Sequence, residues 1–182
     1  YKYLLGTWTQ LGTNIDGVQP GDKTGISVSL SADGTVVAIG SPGWYGSNGN
    51  NSGTTRVYEI NPYANNTWTQ IGGNIDGEQA EDGSGNSVSV SKLDDNGIFV
   101  AIGAKYNDGN GDRTGHTRIY KYSGGDTWTQ VDVDIDGESF SLFSGYSVSL
   151  SADGSSVAIG SPFNSAHSSY SGLTRVYKLS KK

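Results

Sequence analysis

Apolar and polar residues alternate with a period of two in short runs along the chain. In Ser27-Val28-Ser29-Leu30-Ser31, two aliphatic side chains alternate with three serines, and in Val37-Ala38-Ile39-Gly40 large aliphatic residues alternate with small ones. This alternation predicts β-strands, because successive side chains of a strand point to opposite faces of the sheet. A face of Ser, Ala and Gly also lets a second sheet approach closely, so we expect the sheets to stack.

The same strand-like segments recur in three copies. Each copy contains, in the same order, Thr-Trp-Thr-Gln, Ile-Asp-Gly, Ser-Val-Ser, Ala-Ile-Gly and Thr-Arg-Val/Ile-Tyr. The first of these motifs begins at Thr7, Thr67 and Thr127, sixty residues apart. In copies one and three, Asp-Gly between the Ser-Val-Ser and Ala-Ile-Gly runs predicts a hairpin turn. A repeat of this length predicts units that bury their apolar faces against one another.

These patterns together predict the architecture. We expect an all-β fold of three tandem four-stranded antiparallel blades, each of about 60 residues, arranged as a propeller-like repeat array. The chain is expected to be a single repeat domain, 1–182, with approximate repeats 1–60, 61–122 and 123–182.

The order of the motifs resembles a known repeat family. The segments Gly25-x-Ser-Val-Ser, Val37-Ala-Ile-Gly-Ser-Pro and Gly53-x-x-Arg-Val-Tyr are similar to the FG-GAP repeat of integrin-alpha-like β-propellers, and they recur within 85–120 and 145–177. The resemblance implies a propeller blade and, between its first two strands, a calcium loop rich in Asp and Asn. Here that position holds only Ser-Ala-Asp-Gly in copies one and three. One carboxylate does not supply the roughly six to eight oxygens that calcium prefers.

A better calcium candidate lies in a loop of the second copy. Between residues 107 and 112, oxygen-bearing side chains alternate with glycines, which would let the loop wrap a hard cation. The predicted ligands are Asn107, Asp108, Asn110 and Asp112. The alternative is a plain turn without a metal, and no other cofactor is expected.

Composition limits the partners that we expect. The formal net charge is −6, and Lys and Arg do not cluster, so nucleic acid is not an expected partner. Insertion into a membrane is not expected either, because no apolar run approaches the roughly 18–20 residues that span a bilayer. The sequence begins Tyr-Lys-Tyr without an initiator Met, which favours a processed product located outside the cell or at its surface. Asn50 and Asn65 stand in Asn-x-Ser/Thr triplets and are predicted glycosylation sites, although such triplets also arise by chance.

The candidates for catalysis do not recur. The chain has no Cys and two histidines, His116 and His167, and neither is repeated in the other copies. Asp76 and Glu78, like their equivalents in the third copy, resemble the two acids of a glycosidase. However, the first copy has Val18 in place of the Glu, and Asp-Gly in all three copies favours a turn. We therefore expect that the protein is not an enzyme.

Aromatic residues fall into two groups. Trp8, Trp68 and Trp128 recur at one register of a strand, and we expect them to pack between sheets. The others lie in loops and are the predicted contacts for a carbohydrate or a protein. These loop aromatics are Trp44, Tyr45, Tyr106 and Phe163. The alternative is that they only cover the end of a sheet.

An arginine recurs at one strand position in each copy. In a chain this acidic, we expect each arginine to pair with a repeated aspartate. The expected pairs join Arg56, Arg118 and Arg175 to Asp16, Asp76 and Asp136.

The ends of the array suggest a role. Closed propellers use about four to eight blades, so three blades leave an apolar sheet face uncovered at each end. The residues predicted to make assembly contacts are Tyr1, Tyr3, Tyr177 and Leu179. We expect a non-enzymatic extracellular structural or adhesive protein that self-assembles through terminal strands or blade faces into an oligomer or filament. The alternative is a carbohydrate-binding, lectin-like propeller module with glycans as partners.

Overall fold

The computed structural model describes residues 2–64, 66–93, 97–138, 142–165 and 168–179. In this part of the chain all regular structure is β-strand, and no helix there is long and apolar enough to cross a membrane. The strands, in chain order, are β1 (Lys2–Leu4), β2 (Thr7–Thr9), β3 (Ser27–Leu30), β4 (Val36–Ser41), β5 (Thr54–Asn61), β6 (Thr67–Gln70), β7 (Ile75–Asp76), β8 (Ser87–Leu93), β9 (Gly97–Ala104), β10 (His116–Tyr122), β11 (Thr129–Gln130), β12 (Ile135–Asp136), β13 (Ser147–Leu150), β14 (Ser156–Ser161) and β15 (Leu173–Lys178).

The strands form a short hairpin and three antiparallel sheets. β1 pairs with β2 in the hairpin. Blade 1 has the strand order β3-β4-β5-β6, with β7 also paired to β5, and blade 2 has the order β8-β9-β10-β11, with β12 also paired to β10. Blade 3 has the order β13-β14-β15. The predicted all-β, propeller-like array of antiparallel blades is therefore confirmed.

The fourth strand of blades 1 and 2 is broken into two pieces, which the sequence pattern does not indicate. In blade 1, β6 pairs with the second half of β5, and β7 pairs with its first two residues. Between the pieces, Gly72 in blade 1 and Asp132 in blade 2 have left-handed backbones, with φ of 63° and 64°. This conformation turns the chain away from the neighbouring strand. The break is local, because Ile71 N still donates to Val57 O (2.9 Å).

The blades stack face to face, and blade 2 is covered on both sides. Along β9, Val100 and Ile102 face blade 1 and Ala101 faces blade 3, as side chains alternate across a strand. The apolar cluster between blades 1 and 2 consists of Val36, Ala38, Val57, Ile75, Val88, Val90, Ile98, Val100 and Ile102. The cluster between blades 2 and 3 consists of Ala101, Ile119, Val157 and Ile159.

The outer faces of the stack are exposed. Val28 and Leu30 of blade 1 are 63% and 58% exposed, whereas the equivalent Val88 and Val90 of blade 2 are each 7% exposed. Val176 on the opposite outer face, in blade 3, is 72% exposed. The predicted uncovered faces are therefore present in the described residues.

Serines on the small face of one blade bond to the backbone of the next. Ser27 Oγ donates to Gly85 O (2.7 Å), and Val90 N donates to Ser29 Oγ (3.0 Å). The same two bonds recur between blades 2 and 3, from Ser87 Oγ to Gly145 O (2.8 Å) and from Leu150 N to Ser89 Oγ (2.8 Å). The recurring Ser-x-Ser motif is therefore a contact between blades.

The predicted Asp-Gly hairpin turns are present, and an aspartate closes them. In blade 1, Ser31 Oγ (2.6 Å) and Thr35 N (3.0 Å) both donate to Asp33 Oδ1. Lys92 Nζ lies 3.5 Å from Asp33 Oδ2. Burial raises the pKa of Asp33, but the hydrogen bonds from Ser31 and Thr35 and the charge of Lys92 lower it by more. The pKa therefore lies well below its usual value.

Loss of an inter-blade serine should lower the free energy of unfolding more on a covered blade face than on an exposed one. Ser89→Ala leaves the backbone N–H of Leu150 without its acceptor, and we expect the free energy of unfolding to fall by about 1–2 kcal/mol. Ser149 occupies the equivalent position on the exposed face of blade 3, so Ser149→Ala should change it by less than about 0.5 kcal/mol. Urea denaturation measures both values, and equal losses would contradict the contact.

Acid should weaken the turn at Asp33. A carboxyl group whose pKa is lower in the folded protein stabilises the fold above its unfolded pKa, and this stabilisation is lost as the pH falls below about 4. In urea denaturation, Asp33→Asn should therefore lose less stability than the wild type between about pH 6 and pH 3. Asp153 makes the same turn in blade 3 with no lysine contact in the described residues, so Asp153→Asn should reduce the loss by less. Parallel pH profiles for all three proteins would rule this out.

Candidate functional site

One end of the blade stack carries most of the candidate residues. Because Ala104 ends β9 opposite His116, which begins β10, the segment between them projects from that end. β12 pairs with the start of β10, so the segment that follows β12 projects from the same end. We call the described parts of 17–26, 42–53, 77–86, 105–115, 137–146 and 162–172 the loop end, since the segment before β3 also projects from there.

Three ionisable side chains meet at the loop end of blade 2. His116 Nδ1 lies 3.5 Å from Asp134 Oδ2 and 3.9 Å from Glu78 Oε2. His116 begins β10, Asp134 precedes β12 in the same blade, and Glu78 follows β7 of blade 1. One ligand atom from each residue lies within 4.8 Å of the other two. We call these three residues the acid–histidine cluster.

His116 is buried, and no hydrogen-bond partner for it lies among the described residues. Its side chain is 1% exposed, and neither Nδ1 nor Nε2 is hydrogen-bonded within the described residues. Leaving a buried polar group unpaired costs about 1–3 kcal/mol, so such groups are uncommon and call for an explanation. Burial and the charge of Arg118 lower the pKa of His116 to about 4, although Asp134 opposes them. The imidazole is therefore neutral at pH 7.

Arg118 orients one acid of the cluster. Its Nη1 lies 3.5 Å from Glu78 Oε1, and its Nη2 donates to the backbone carbonyl of Asp76 (2.9 Å). Glu78 therefore turns one oxygen towards Arg118 and the other towards His116. Burial raises the pKa of Glu78, Arg118 lowers it, and Asp134 raises it further. The net effect is a pKa above the usual value.

The acid–histidine cluster fits a divalent cation. A neutral imidazole and two carboxylates are a ligand set that binds zinc and related metals, at distances of about 2.0–2.2 Å. The ring nitrogens of His116 are unpaired within the described chain, whereas Glu78 and Asp134 are 42% and 27% exposed. The three residues would therefore hold a metal ion, with the two carboxylates at a partly exposed surface.

His116 and Asp134 both break the repeat, and this is the sequence signal that identifies them. His116 stands where the other copies have Thr54 and Leu173, and Asp134 stands where the other copies have asparagine. Gln130 Nε2 donates to Asp134 Oδ1 (2.6 Å), which leaves Oδ2 facing His116. Since the framework of a repeat protein recurs, a chemically different residue in one copy indicates a local role.

The side chains of the predicted calcium loop, 107–112, form hydrogen bonds within the loop and with neighbouring segments. Asn107 Nδ2 donates to Asp82 Oδ2 (3.0 Å), and its Oδ1 accepts a hydrogen bond from a backbone N–H of the loop (2.8 Å). Asp108 Oδ1 accepts one from the backbone N–H of Arg113 (2.7 Å). The other two predicted ligands are Asn110, which donates to a backbone carbonyl, and Asp112, which is exposed. Calcium in this loop stays a prediction.

A cavity of about 270 Å³ opens at the loop end between blades 1 and 2. Its lining residues are Lys23, Ile26, Pro42, Asn51, Glu81, Gly83, Asn86, Lys105 and Tyr106. Of the four predicted ligand-binding aromatics, Tyr106 lines this cavity. Its ring lies 5.8 Å from Phe143, which lies 5.2 Å from Phe163. Trp44 is half-buried and Tyr45 is exposed, and neither lines the cavity. Ligand contacts at these four residues stay predictions.

Two of the repeated arginines contact acids two residues beyond the predicted aspartates. The observed ion pairs are Arg118 with Glu78 and Arg175 with Glu138. The predicted pairing is wrong at Arg118 because the backbone carbonyl of Asp76, rather than its carboxylate, faces the guanidinium. Where the first copy lacks the Glu, Arg56 Nη2 donates to the hydroxyl of Thr24 (3.0 Å) and to the backbone carbonyl of Asp16 (3.5 Å).

Two of the repeated tryptophans contact the equivalent segment of the preceding repeat, and Trp128 also packs against the apolar cluster between blades 1 and 2. The indole nitrogens of Trp68 and Trp128 donate to Leu11 O (3.0 Å) and Ile71 O (3.2 Å). Both side chains are half-buried. Trp8 differs, since it is 66% exposed.

The described residues among those predicted for glycosylation and assembly lie at the surface or beside the core. Two of the predicted residues, Asn65 and Tyr1, lie outside the described residues. Asn50 and Tyr3 are exposed. Tyr177 and Leu179 pack against the apolar cluster between blades 2 and 3. Glycosylation and assembly at these positions stay predictions.

The fold is similar to that of a solved enzyme structure. No protein-family model matches the chain, and no curated protein matches it in sequence. The chain is similar to the periplasmic gluconolactonase PpgL of Pseudomonas aeruginosa, with a TM-score of 0.53 and 15% sequence identity. The likeness covers 91% of this chain and 41% of that one, so the chain spans about two fifths of the enzyme's length. At this identity the likeness supports a propeller-like fold, without distinguishing the FG-GAP type of repeat.

This comparison corrects two expectations. The chain shares its fold with an enzyme, so the expected non-enzymatic role, as a structural or adhesive filament protein or as a lectin-like module, is wrong. The expectation that the protein is not an enzyme is wrong on the same finding. The physical reason is that recurring residues report the framework of the blades, and a framework does not by itself determine function. Exposed blade faces show which surfaces are uncovered, but do not show what the protein does.

Arg118 provides a stability test of the framework around the cluster. It is 4% exposed and contacts both Glu78 and the carbonyl of Asp76, so Arg118→Ala should lower the free energy of unfolding by about 2–3 kcal/mol. Arg175 makes the equivalent, more exposed pair with Glu138, and Arg175→Ala should cost less than about 1 kcal/mol. Urea denaturation compares the two, and a loss for Arg118→Ala no larger than for Arg175→Ala would contradict this assignment.

Proposed function

We propose that the protein is a metal-dependent propeller hydrolase that opens a lactone, the cyclic ester of a hydroxy acid. The observation that carries the proposal is the buried imidazole of His116, unpaired within the described residues and facing the carboxylates of Glu78 and Asp134. The blade framework does not require an imidazole here. In blade 1 the same position is filled by Thr54, whose hydroxyl donates to a backbone carbonyl.

The acid–histidine cluster has the chemistry that ester hydrolysis needs. A divalent cation bound there supplies a Lewis acid, which polarises a carbonyl oxygen and makes water a stronger acid. His116 is a neutral ligand at pH 7 because its pKa is lowered. Arg118 orients Glu78, and Gln130 orients Asp134. The reaction adds water across the ring ester: hydroxyl joins the carbonyl carbon, the ring C–O bond breaks, and the ring oxygen takes the proton.

Three elements of the proposal rest on likenesses. A solved structure with a similar fold is a periplasmic gluconolactonase, which supports a lactone as the substrate and a location outside the cytoplasm. The Gly-x-Ser-Val-Ser and Ala-Ile-Gly motifs support blades of the FG-GAP type.

Metal binding is the first measurement. The chelator-treated wild type should bind one equivalent of Zn²⁺ or Mn²⁺ in isothermal titration calorimetry, and His116→Gln should bind at least about tenfold more weakly. His167→Gln removes the chain's other histidine and is the matched control, which should bind like the wild type. A wild type that binds neither metal, or equal affinity in His116→Gln, would overturn the proposal.

Hydrolysis is a separate measurement. Opening of D-glucono-1,5-lactone at constant pH is followed by alkali uptake, and the metal-loaded wild type should exceed the spontaneous rate. Asp134→Asn removes one ligand charge and should lower the enzymatic rate by about 10–100-fold. If the protein binds metal but does not accelerate lactone opening, the metal site stands and the assignment as a lactone hydrolase is wrong.

A further inference from the structure

The cavity between blades 1 and 2 is distinct from the acid–histidine cluster, because the two share no residue. Two lysines, Lys23 and Lys105, line this cavity in a chain whose formal net charge is −6. Within the described residues, the ion pairs with carboxylates involve other cations. The cavity therefore holds two positive charges that no carboxylate of the described chain neutralises by direct contact.

Aromatic rings position Lys105. Its Nζ lies 4.9 Å from the ring centre of Tyr106 and 4.7 Å from that of Tyr146. A ring face attracts an ammonium group electrostatically and leaves its N–H donors available to an anion. Lys105 is also half-buried, so its charge is less screened than that of a fully exposed lysine.

Both lysines break the repeat. Lys105 stands where the other copies have Pro42 and Pro162, and Lys23 stands where they have Gly83 and Phe143. The blade framework therefore requires a cation at neither position. Two separate departures from the repeat place positive charge in one cavity, which indicates a role in binding.

We propose that this cavity binds a small oxyanion, the carboxylate or phosphate group of a polar molecule, with Lys105 and Lys23 as its charge partners. The volume of about 270 Å³ suits one small molecule, since pockets for drug-sized ligands measure about 300–1,000 Å³. Tyr106 adds an aromatic wall against which the uncharged part of the ligand packs. The inference is independent of metal binding and of lactone hydrolysis.

Glu81 provides a test of whether the ligand is negatively charged, because this acidic residue also lines the cavity. Asn51 Nδ2 lies 3.3 Å from Glu81 Oε1 and 3.1 Å from Oε2. The negative charge opposes an incoming anion, so Glu81→Gln should tighten anion binding about two- to fivefold. A role of Glu81 in stability alone would not increase affinity for an anion.

The binding experiment uses the full chain, treated with chelator, in phosphate-free buffer. Isothermal titration calorimetry tests D-gluconate and inorganic phosphate, with D-glucose as the uncharged comparison. We expect at least one anion to bind, D-glucose to bind at least about tenfold more weakly, and Lys105→Met and Lys23→Met each to weaken anion binding about tenfold. Lys121 lies 5.5 Å from the ring of Phe99 outside the cavity, so Lys121→Met is the matched control and should bind normally.

The outcomes distinguish a sugar acid from any small oxyanion as the ligand. They also distinguish the anion site from the proposed metal site. Similar affinity for both anions identifies any small oxyanion as the ligand, and binding of gluconate alone identifies a sugar acid. His116→Gln should bind the anion like the wild type, so failure of the metal site leaves this inference standing. Lys105→Gln replaces Lys105→Met if thermal unfolding shows that the latter is not folded. Absence of anion binding, or binding unchanged by both lysine substitutions, overturns the inference.

Discussion

The close approach of one blade to the backbone of the next positions everything else in the structure. A Cβ atom on Gly40 would overlap the carbonyl oxygen of Gly85, and one on Gly103 would overlap that of Gly145. Glycine alone permits this contact, which explains the glycine of Ala-Ile-Gly in blades 1 and 2. Gly85 and Gly145 also lie in the segments that join successive blades. The contact therefore fixes the loop end, and with it the acid–histidine cluster.

Most of the framework is predictable from the sequence, because its determinants are local and recur. Alternation with a period of two, the Asp-Gly turns and the sixty-residue repeat each need only neighbouring residues or a comparison between copies. The break in the fourth strand is different, since Gly72 permits a left-handed backbone but does not require one. The pairing of Arg118 likewise depends on whether the carbonyl or the carboxylate of Asp76 faces the guanidinium, and sequence spacing does not determine which one does.

The site is less predictable, because stacking brings its residues together. Glu78 follows β7 of blade 1, whereas His116 and Asp134 belong to blade 2. No short sequence motif contains all three residues. Comparison of the copies does single out His116 and Asp134, but only if a departure from the repeat is treated as evidence for function. Lys23 and Lys105 are singled out in the same way, because each differs from the residues at the same position of the other copies. In a repeat protein, recurring residues describe how the blades pack, and the exceptions describe what one blade does differently.

One short segment connects the two sites at the loop end. Glu78 belongs to the cluster and Glu81 lines the cavity, so their Cα atoms are at most about 11 Å apart along the chain. The next residue along the chain, Asp82, is buried, and its Oδ2 accepts hydrogen bonds from Gln79 N (3.1 Å) and Asn107 Nδ2 (3.0 Å). Burial raises the pKa of Asp82, although both hydrogen bonds oppose this effect. Asp82 therefore ties the segment to blade 2, and a rigid stack of sheets holds two polar sites of different charge close together on loops.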